Sequence, residues 1–132
     1  RDFMAEVCVA WEREAVAAEP LGVRVARVRT GIVLDPDAGA LSQLLLPFRL
    51  RTGGPIMPGT QYYSWIHPLD EVGLLLLALE DARASGPLNA TAPNPTTNRD
   101  FTSTLGEVLG SPSWLPVPEF SLRLALGEMA DM

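Results

Sequence analysis

The sequence predicts an α/β fold with parallel strands. Three observations carry this. Residues 2–18 and 68–84 repeat apolar side chains at helical steps. Residues 23–34, 61–67 and 87–91 are short stretches with strand character, the first rich in β-branched residues. Turn residues punctuate the chain between them, so the elements read α-β-α-β-α-β-α-α. Such alternation favours a parallel sheet, because each helix returns the chain to the start of the next strand.

The first helix is DFMAEVCVAWEREAVAA (2–18). Met4, Val7, Cys8, Trp11, Ala15 and Ala18 form one face, and Glu6, Glu12, Arg13 and Glu14 lie mostly elsewhere. Asp2 is placed to cap it, and Pro20 with Gly22 to stop it. The strand VRVARVRTGIVL (23–34) leads into a turn at DPDAG. Its alternation fails from Arg27 to Gly31, so Gly31 marks a bulge or a close backbone approach to a ligand. Residues 38–46 predict a second helix ending before Pro47, and RTGGPIMPGT (51–60) reads as loop with a short strand.

QYYSWIH (61–67) is the next strand, and alternation sets Tyr63, Trp65 and His67 on one side. PLDEVGLLLLALEDARA (68–84) follows as a largely buried helix. Pro68 suits its first turn, and Asp70 and Glu71 suit its positive end. SGPLNATAP gives turn, short strand and turn. A helix capped by Thr97 or Asn98 and stopped at Gly110 comes next, then WLPVP and a last helix over 118–129.

Composition narrows the function. The chain is 47% hydrophobic and 20% charged, a globular balance, and its 132 residues make one domain or a piece of a larger one. A net charge of −6 argues against nucleic acid, which needs clustered cations. All ten basic residues are arginine, so lysine chemistry is excluded from this chain. The lone Cys8 forms no internal disulfide, which points to a reducing, cytoplasmic setting, and with a single histidine a zinc site is not expected. The run 72–80 is shorter than the ~20 residues a membrane span needs. The chain opens with Arg inside an amphipathic segment, as a fragment of a longer protein would. No G-x-G-x-x-G or P-loop occurs in it.

Longer words carry a resemblance. RVRTGIVLDPDAGALSQLLLPFRLRTGGPI, YYSWIHPLDEVGLLLLALE and GPLNATAPNPTTNRDFTSTLGEVLG resemble the extended short-chain dehydrogenase/reductases. They are closest to the atypical group called epimerase family proteins, also described as nucleoside-diphosphate-sugar epimerase-like or SulA-related. The resemblance covers essentially all 132 residues. It implies the C-terminal part of a Rossmann-type NAD(P)-binding fold plus a small substrate-binding lobe. Residues 1–36 and 68–93 would end the nucleotide domain, and 37–67 and 94–132 would form the lobe. The Gly-rich half would lie upstream, and a further segment would follow residue 132.

The same resemblance implies NADP, or NAD, as cofactor and an unidentified small molecule as substrate. Cys8, Arg29, Thr30, Gly31 and Val33 would lie along the cofactor, with the main chain from Thr30 to Val33 against its nicotinamide end. Read from the residues themselves, Tyr63, Trp65 and His67, on one side of their strand, could wall a substrate cleft, and Arg49 and Arg51, followed by Gly53 and Gly54, could hold a phosphate or carboxylate of the substrate, the rival reading being a solvated loop. The group's Tyr-x-x-x-Lys pair, which supplies a proton and holds the ribose, falls here on Met4 and Cys8. Neither side chain can do that work. No catalytic residue is therefore assigned. His67 is the candidate acid or base, its rival reading being a backbone-bonding residue at a strand–helix junction, and Tyr62 or Tyr63 could also donate a proton. Two functions stay open: an oxidoreductase or epimerase-like enzyme, and a dinucleotide-binding sensor without turnover.

Overall fold

The computed structural model describes residues 3–117. The expected Asp2 cap and the expected helix over 118–129 lie outside them. Helix α1 spans Phe3–Val16, and a 3₁₀ turn at Glu19–Leu21 closes on Gly22, whose φ of 78° is the left-handed conformation glycine tolerates. Strand β1 (Ala26–Thr30) pairs in parallel with β5 (Gly86–Ala90), in register from Ala26↔Gly86 to Thr30↔Ala90. Strand β2 (Ile32–Val33) pairs in parallel with β4 (Trp65–Ile66), and β3 (Tyr62–Tyr63) pairs antiparallel with β6 (Thr96–Thr97). The parallel arrangement and the alternation agree with the expected fold class.

Helix α3 (Pro68–Glu80) is fixed at both ends. His67 caps its start, Nδ1 accepting from the Leu69 amide at 3.2 Å. At the other end Arg24 donates to the carbonyls of Ala78 (2.7 Å), Leu79 (2.8 Å) and Ala84 (2.6 Å). A guanidinium there satisfies orphan carbonyls and opposes the negative end of the helix dipole. Thr97 caps α4 (Asn98–Leu109), its Oγ1 accepting from the Asp100 amide, and Gly110 at φ 59° ends it.

The core gathers where α2 (Gly39–Arg49), α4 and β4 meet. Phe48 is 2% exposed and Ile66 1%, and Leu45 is also buried. Gly53 is required beside Phe48, because a Cβ there would meet the ring at 2.6 Å. Pro47 does not end α2 as expected. Proline removes its own donor and crowds the carbonyl one turn back, but the carbonyls of the last turn find partners: Leu46 accepts from Leu50, and Phe48 accepts from Arg51 and from the Ser111 hydroxyl. Burial of Phe48 then holds the turn.

Helix α3 also departs from expectation. Only Glu71 and Ala78 are buried, while Leu69, Val72, Leu76 and Leu79 are exposed at steps of three, four and three. The apolar period marks a helix face without naming what covers it. On α1 no residue is buried, and Trp11 is 73% exposed. No helix among the described residues is long and apolar enough to cross a membrane.

Candidate functional site

The site begins at Gly31, where β1 gives way to β2. The Gly31 amide donates to Ala90 O of β5, and the very next amide, Ile32, donates to Ser64 O beside β4. Consecutive amides of a strand point to opposite edges, so β5 flanks one edge and β4 the other, and the pairing passes from β5 to β4 at this residue. A Cβ on Gly31 would collide with the Ser64 carbonyl and crowd the Thr91 methyl at 3.1 Å. The close approach expected at Gly31 is thus made by the protein's own Ser64, which takes the place the sequence reading reserved for a ligand or a bulge.

Past Gly31, Ile32 and Leu34 donate to Ser64 and Ile66. Val33, between them, turns its amide and carbonyl to the other edge, where no strand pairs with β2 among the described residues. One free donor and one free acceptor therefore stand at the carboxyl end of a parallel strand, the usual place for ligands in such sheets. Thr30, just before Gly31, donates its hydroxyl to Glu71 Oε1 of α3 at 2.8 Å. Glu71 is 9% exposed, and its Oε2 has no hydrogen-bond partner among the described residues.

Helix α1 lies along the other side of β1. Glu12 reaches down to two arginines: Oε2 accepts from Arg27 at 3.0 Å, and its two oxygens accept from Arg29 Nε at 2.6 Å and Nη2 at 2.8 Å. The bond from Arg29 is the main cause holding the Glu12 carboxyl below its ordinary value, and the same bond raises Arg29. The Arg29 side chain, expected near a cofactor, is thus engaged with Glu12. The expected division of α1, apolar face inward and acids outward, is overturned at Glu12. Cys8 is exposed and lines an open groove of about 670 Å³ with Trp11, Glu12 and β1 through Thr30.

The strand expected over 61–67 is broken at Ser64, and its two halves join different sheets. The common wall of Tyr63, Trp65 and His67 is consequently split. Tyr63 packs on Phe101 of α4, centroids 5.4 Å apart and tilted by 58°. Its hydroxyl accepts from Asn98 Nδ2 at 2.8 Å, while Asn98 Oδ1 accepts from the Ile56 amide at 2.7 Å. Burial raises the Tyr63 phenol, and the Asn98 bond opposes the rise. Trp65 stands between two clefts. One, about 330 Å³, is lined by Leu34, Leu41, Phe101, Thr104 and Leu105 among others. The other, about 480 Å³, lies against Asp70, Gly73 and Thr91. His67 lines neither, and its Nδ1 is occupied by the cap.

Arg49 is exposed in the last turn of α2. It stands eight residues, or about 12 Å of helix rise, beyond Leu41, which faces the Trp65 cleft. The structure therefore does not bring it to Trp65. Gly54 packs on the Leu115 carbonyl, and Gly53 on Phe48, so these glycines serve packing. Glu12, Ser64, Glu71 and Asn98 were not singled out from the sequence. One signal was present: Arg27 and Arg29, two apart on a strand, share a face and call for a carboxylate opposite.

No family model matches the chain. Individual relatives do. It is 46% identical over all its 132 residues to the epimerase family protein SDR39U1 homolog, chloroplastic, of Arabidopsis thaliana, covering 38% of that protein. To the epimerase family protein YfhF of Bacillus subtilis it is 43% identical over 98% of its length, covering 42%. Among solved structures, human epimerase family protein SDR39U1 (isoform 2) with NADPH overlays 82% of this chain and 37% of its own, at a TM-score of 0.77 and 41% identity. The nucleoside-diphosphate sugar epimerase of Corynebacterium glutamicum overlays 95% of this chain and 28% of its own, at 0.71 and 37%. The chain spans about two fifths of the length of the curated relatives it matches. Over nearly its whole length in sequence, and over most of it in fold, the chain is similar to part of these epimerase family proteins, and it shares the Rossmann-type fold of that part.

Proposed function

We propose that this chain supplies the nicotinamide-end wall and the substrate side of an NAD(P)-dependent epimerase-like protein, with NADP the preferred cofactor. One observation carries the reading: the unpaired amide and carbonyl of Val33 stand at the carboxyl end of β2. A carboxamide needs one donor and one acceptor of that kind, so the residues fit the group. That the human relative was solved with NADPH supports the choice. When bound, the dinucleotide supplies a transferable hydride. The chain's own part is positional: Gly31 admits the Ser64 carbonyl, Thr30 and Glu71 hold β1 to α3, and Val33 presents its backbone.

In this reading residues 1–36 and 68–93 close the nucleotide domain, and 37–67 and 94–132 form the substrate lobe. Cys8 and the backbone of Arg29 flank the cofactor along the groove below α1. Trp65 is the substrate-side contact, with Tyr63 stiffening it through Phe101. The test is Val33→Pro in a full-length protein. Proline removes the edge amide and leaves the ladder donors of Ile32 and Leu34 in place. NADPH affinity, followed by the cofactor's own fluorescence, should fall about tenfold, the loss of one amide bond in a closed site. Unchanged affinity would sink the reading.

A second reading rests on Met4 and Cys8. They stand four apart on α1 where related enzymes carry Tyr and Lys; the Met4 thioether has no proton to give, and the Cys8 thiol cannot replace a fixed cation. This favours a sensor that binds the dinucleotide without turnover. Steady NADPH consumption with any member of a broad carbonyl panel would exclude it.

A further inference from the structure

We propose that the cleft on the α4 side of Trp65 binds an uncharged, ring-bearing small molecule and not a diphosphate-linked sugar. The inference rests on the dinucleotide reading above, because Leu34, next to Val33, forms part of the cleft wall. Its volume, about 330 Å³, falls within the range of small-molecule sites. An indole and a phenyl ring, Trp65 and Phe101, line it with Leu105 and Val108. Phe101 is braced by Tyr63, and Tyr63 by the buried Asn98, so that wall is set before any ligand arrives. The polar groups present are Asn94, Thr96 and Thr104. All three are neutral, and each can meet a carbonyl or hydroxyl group.

Charge decides the class. A diphosphate carries two negative charges and calls for arginine or lysine. Among the described residues neither cleft beside Trp65 is lined by a basic side chain, and the second is lined by Asp70, which repels an anion. Among the described residues the paired arginines have other work: Arg13 on Glu14, Arg27 and Arg29 on Glu12, Arg24 on the end of α3, Arg83 on Asp81 and Arg99 on the Pro58 carbonyl. Arg49 lies at the far end of α2, with Arg51 just beyond it. A flat apolar ring can stack on Trp65 without any of them.

A full-length Trp11→Phe/Trp114→Phe variant, with every tryptophan outside these 132 residues also changed to Phe, tests this, since it leaves Trp65 as the single tryptophan; Trp11 and Trp114 are both surface-exposed. The variant is loaded with NADPH and titrated with 1-aminoanthracene, a neutral aromatic probe, and separately with UDP-glucose. Saturable probe emission sensitised by Trp65 is expected. It should weaken about tenfold or more in Thr104→Arg, which sets a charge in the apolar cleft. UDP-glucose should neither displace the probe nor quench Trp65. Displacement by UDP-glucose, or absence of probe emission while NADPH is bound, overturns the proposed class. Failure of NADPH itself to bind is read from the cofactor's own fluorescence. It overturns the dinucleotide reading and the claim that the cleft is a substrate subsite.

Discussion

Thr30 donates its hydroxyl hydrogen to Glu71 Oε1 across 2.8 Å, tying the last residue of β1 to the first turn of α3. The carboxylate lies where the sheet changes partners, and it is almost fully buried. Its second oxygen already lacks a partner among the described residues. Thr30→Val should therefore leave both oxygens without a side-chain donor. A loss of about 1–3 kcal/mol is expected, the cost of stranding a buried acceptor. Urea unfolding midpoints of Thr30→Val, Glu71→Leu and the double variant would measure it. The double variant should be less destabilised than the sum of the singles, because removing both partners strands nothing.

Gly31→Ala should be more harmful than any ordinary glycine-to-alanine change in a strand. The added methyl would run into the Ser64 carbonyl, which is held in place by the Ile32 amide. Backbone cannot swing aside as a side chain can. A cost of about 1–3 kcal/mol follows from overpacking. Gly73→Ala is the control, since a Cβ there meets nothing within 4 Å and sits in a helix, so that change should be neutral or stabilising. Equal thermal midpoints for the two variants would refute the account of Gly31.

How far the sequence carried this picture depended on whether a feature was local. Thr97 and Gly110 bound α4 as read, because a cap and a left-handed stop are decided within a few residues. Pro68 was legible for the same reason, while the parallel pairing of β1 with β5 and of β2 with β4 was legible from the alternation of helices and strands. The break at Ser64 was not, since it follows from a carbonyl meeting Gly31 more than thirty residues away. Glu71 looked like a helix-start acid satisfying the dipole, and nothing local says that its side chain turns inward to Thr30. Glu12 was read with the polar face of α1, though its partners lie on β1. The position of Trp65 was legible as part of a strand. Its isolation from His67 was not, because that needed the strand to change sheets.

Glu12 should give the fold an acid-sensitive tether. Its carboxyl is held below the ordinary value of 4.5, first by the hydrogen bond from Arg29. A group depressed in the folded state contributes fully above its unfolded value. That contribution is lost as pH falls through the folded value. The stability difference between the native chain and Glu12→Gln should accordingly be constant near neutrality and shrink below about pH 4.5. The pair is partly solvent-exposed, with 27% of the Glu12 side chain accessible, so added salt should also reduce the difference. Thermal midpoints of both proteins across an acid pH series, at two salt concentrations, would show the trend; a difference that grows toward acid would contradict it.

Asn98, 1% exposed, ties three segments together through its side chain and its own amide. Its oxygen satisfies the Ile56 amide, its nitrogen reaches the Tyr63 phenol, and its own amide donates to Gln61 O. Asn98→Ala would leave the Ile56 amide unpaired and remove the donor that favours the phenolate. About 2–4 kcal/mol of stability should be lost, one stranded donor and one lost bond. A second consequence separates this bond from a purely steric role. Burial already raises Tyr63, and the Asn98 bond works against that rise, so its removal should push the Tyr63 titration still higher. Because Tyr62 is the other tyrosine of the sequence, the measurement is an ultraviolet difference titration of Tyr62→Phe with and without Asn98→Ala, taken where the fold persists. A Tyr63 titration that moved downward would mean that the phenol is not held by Asn98, and the braced aromatic wall beside Trp65 would lose its anchor.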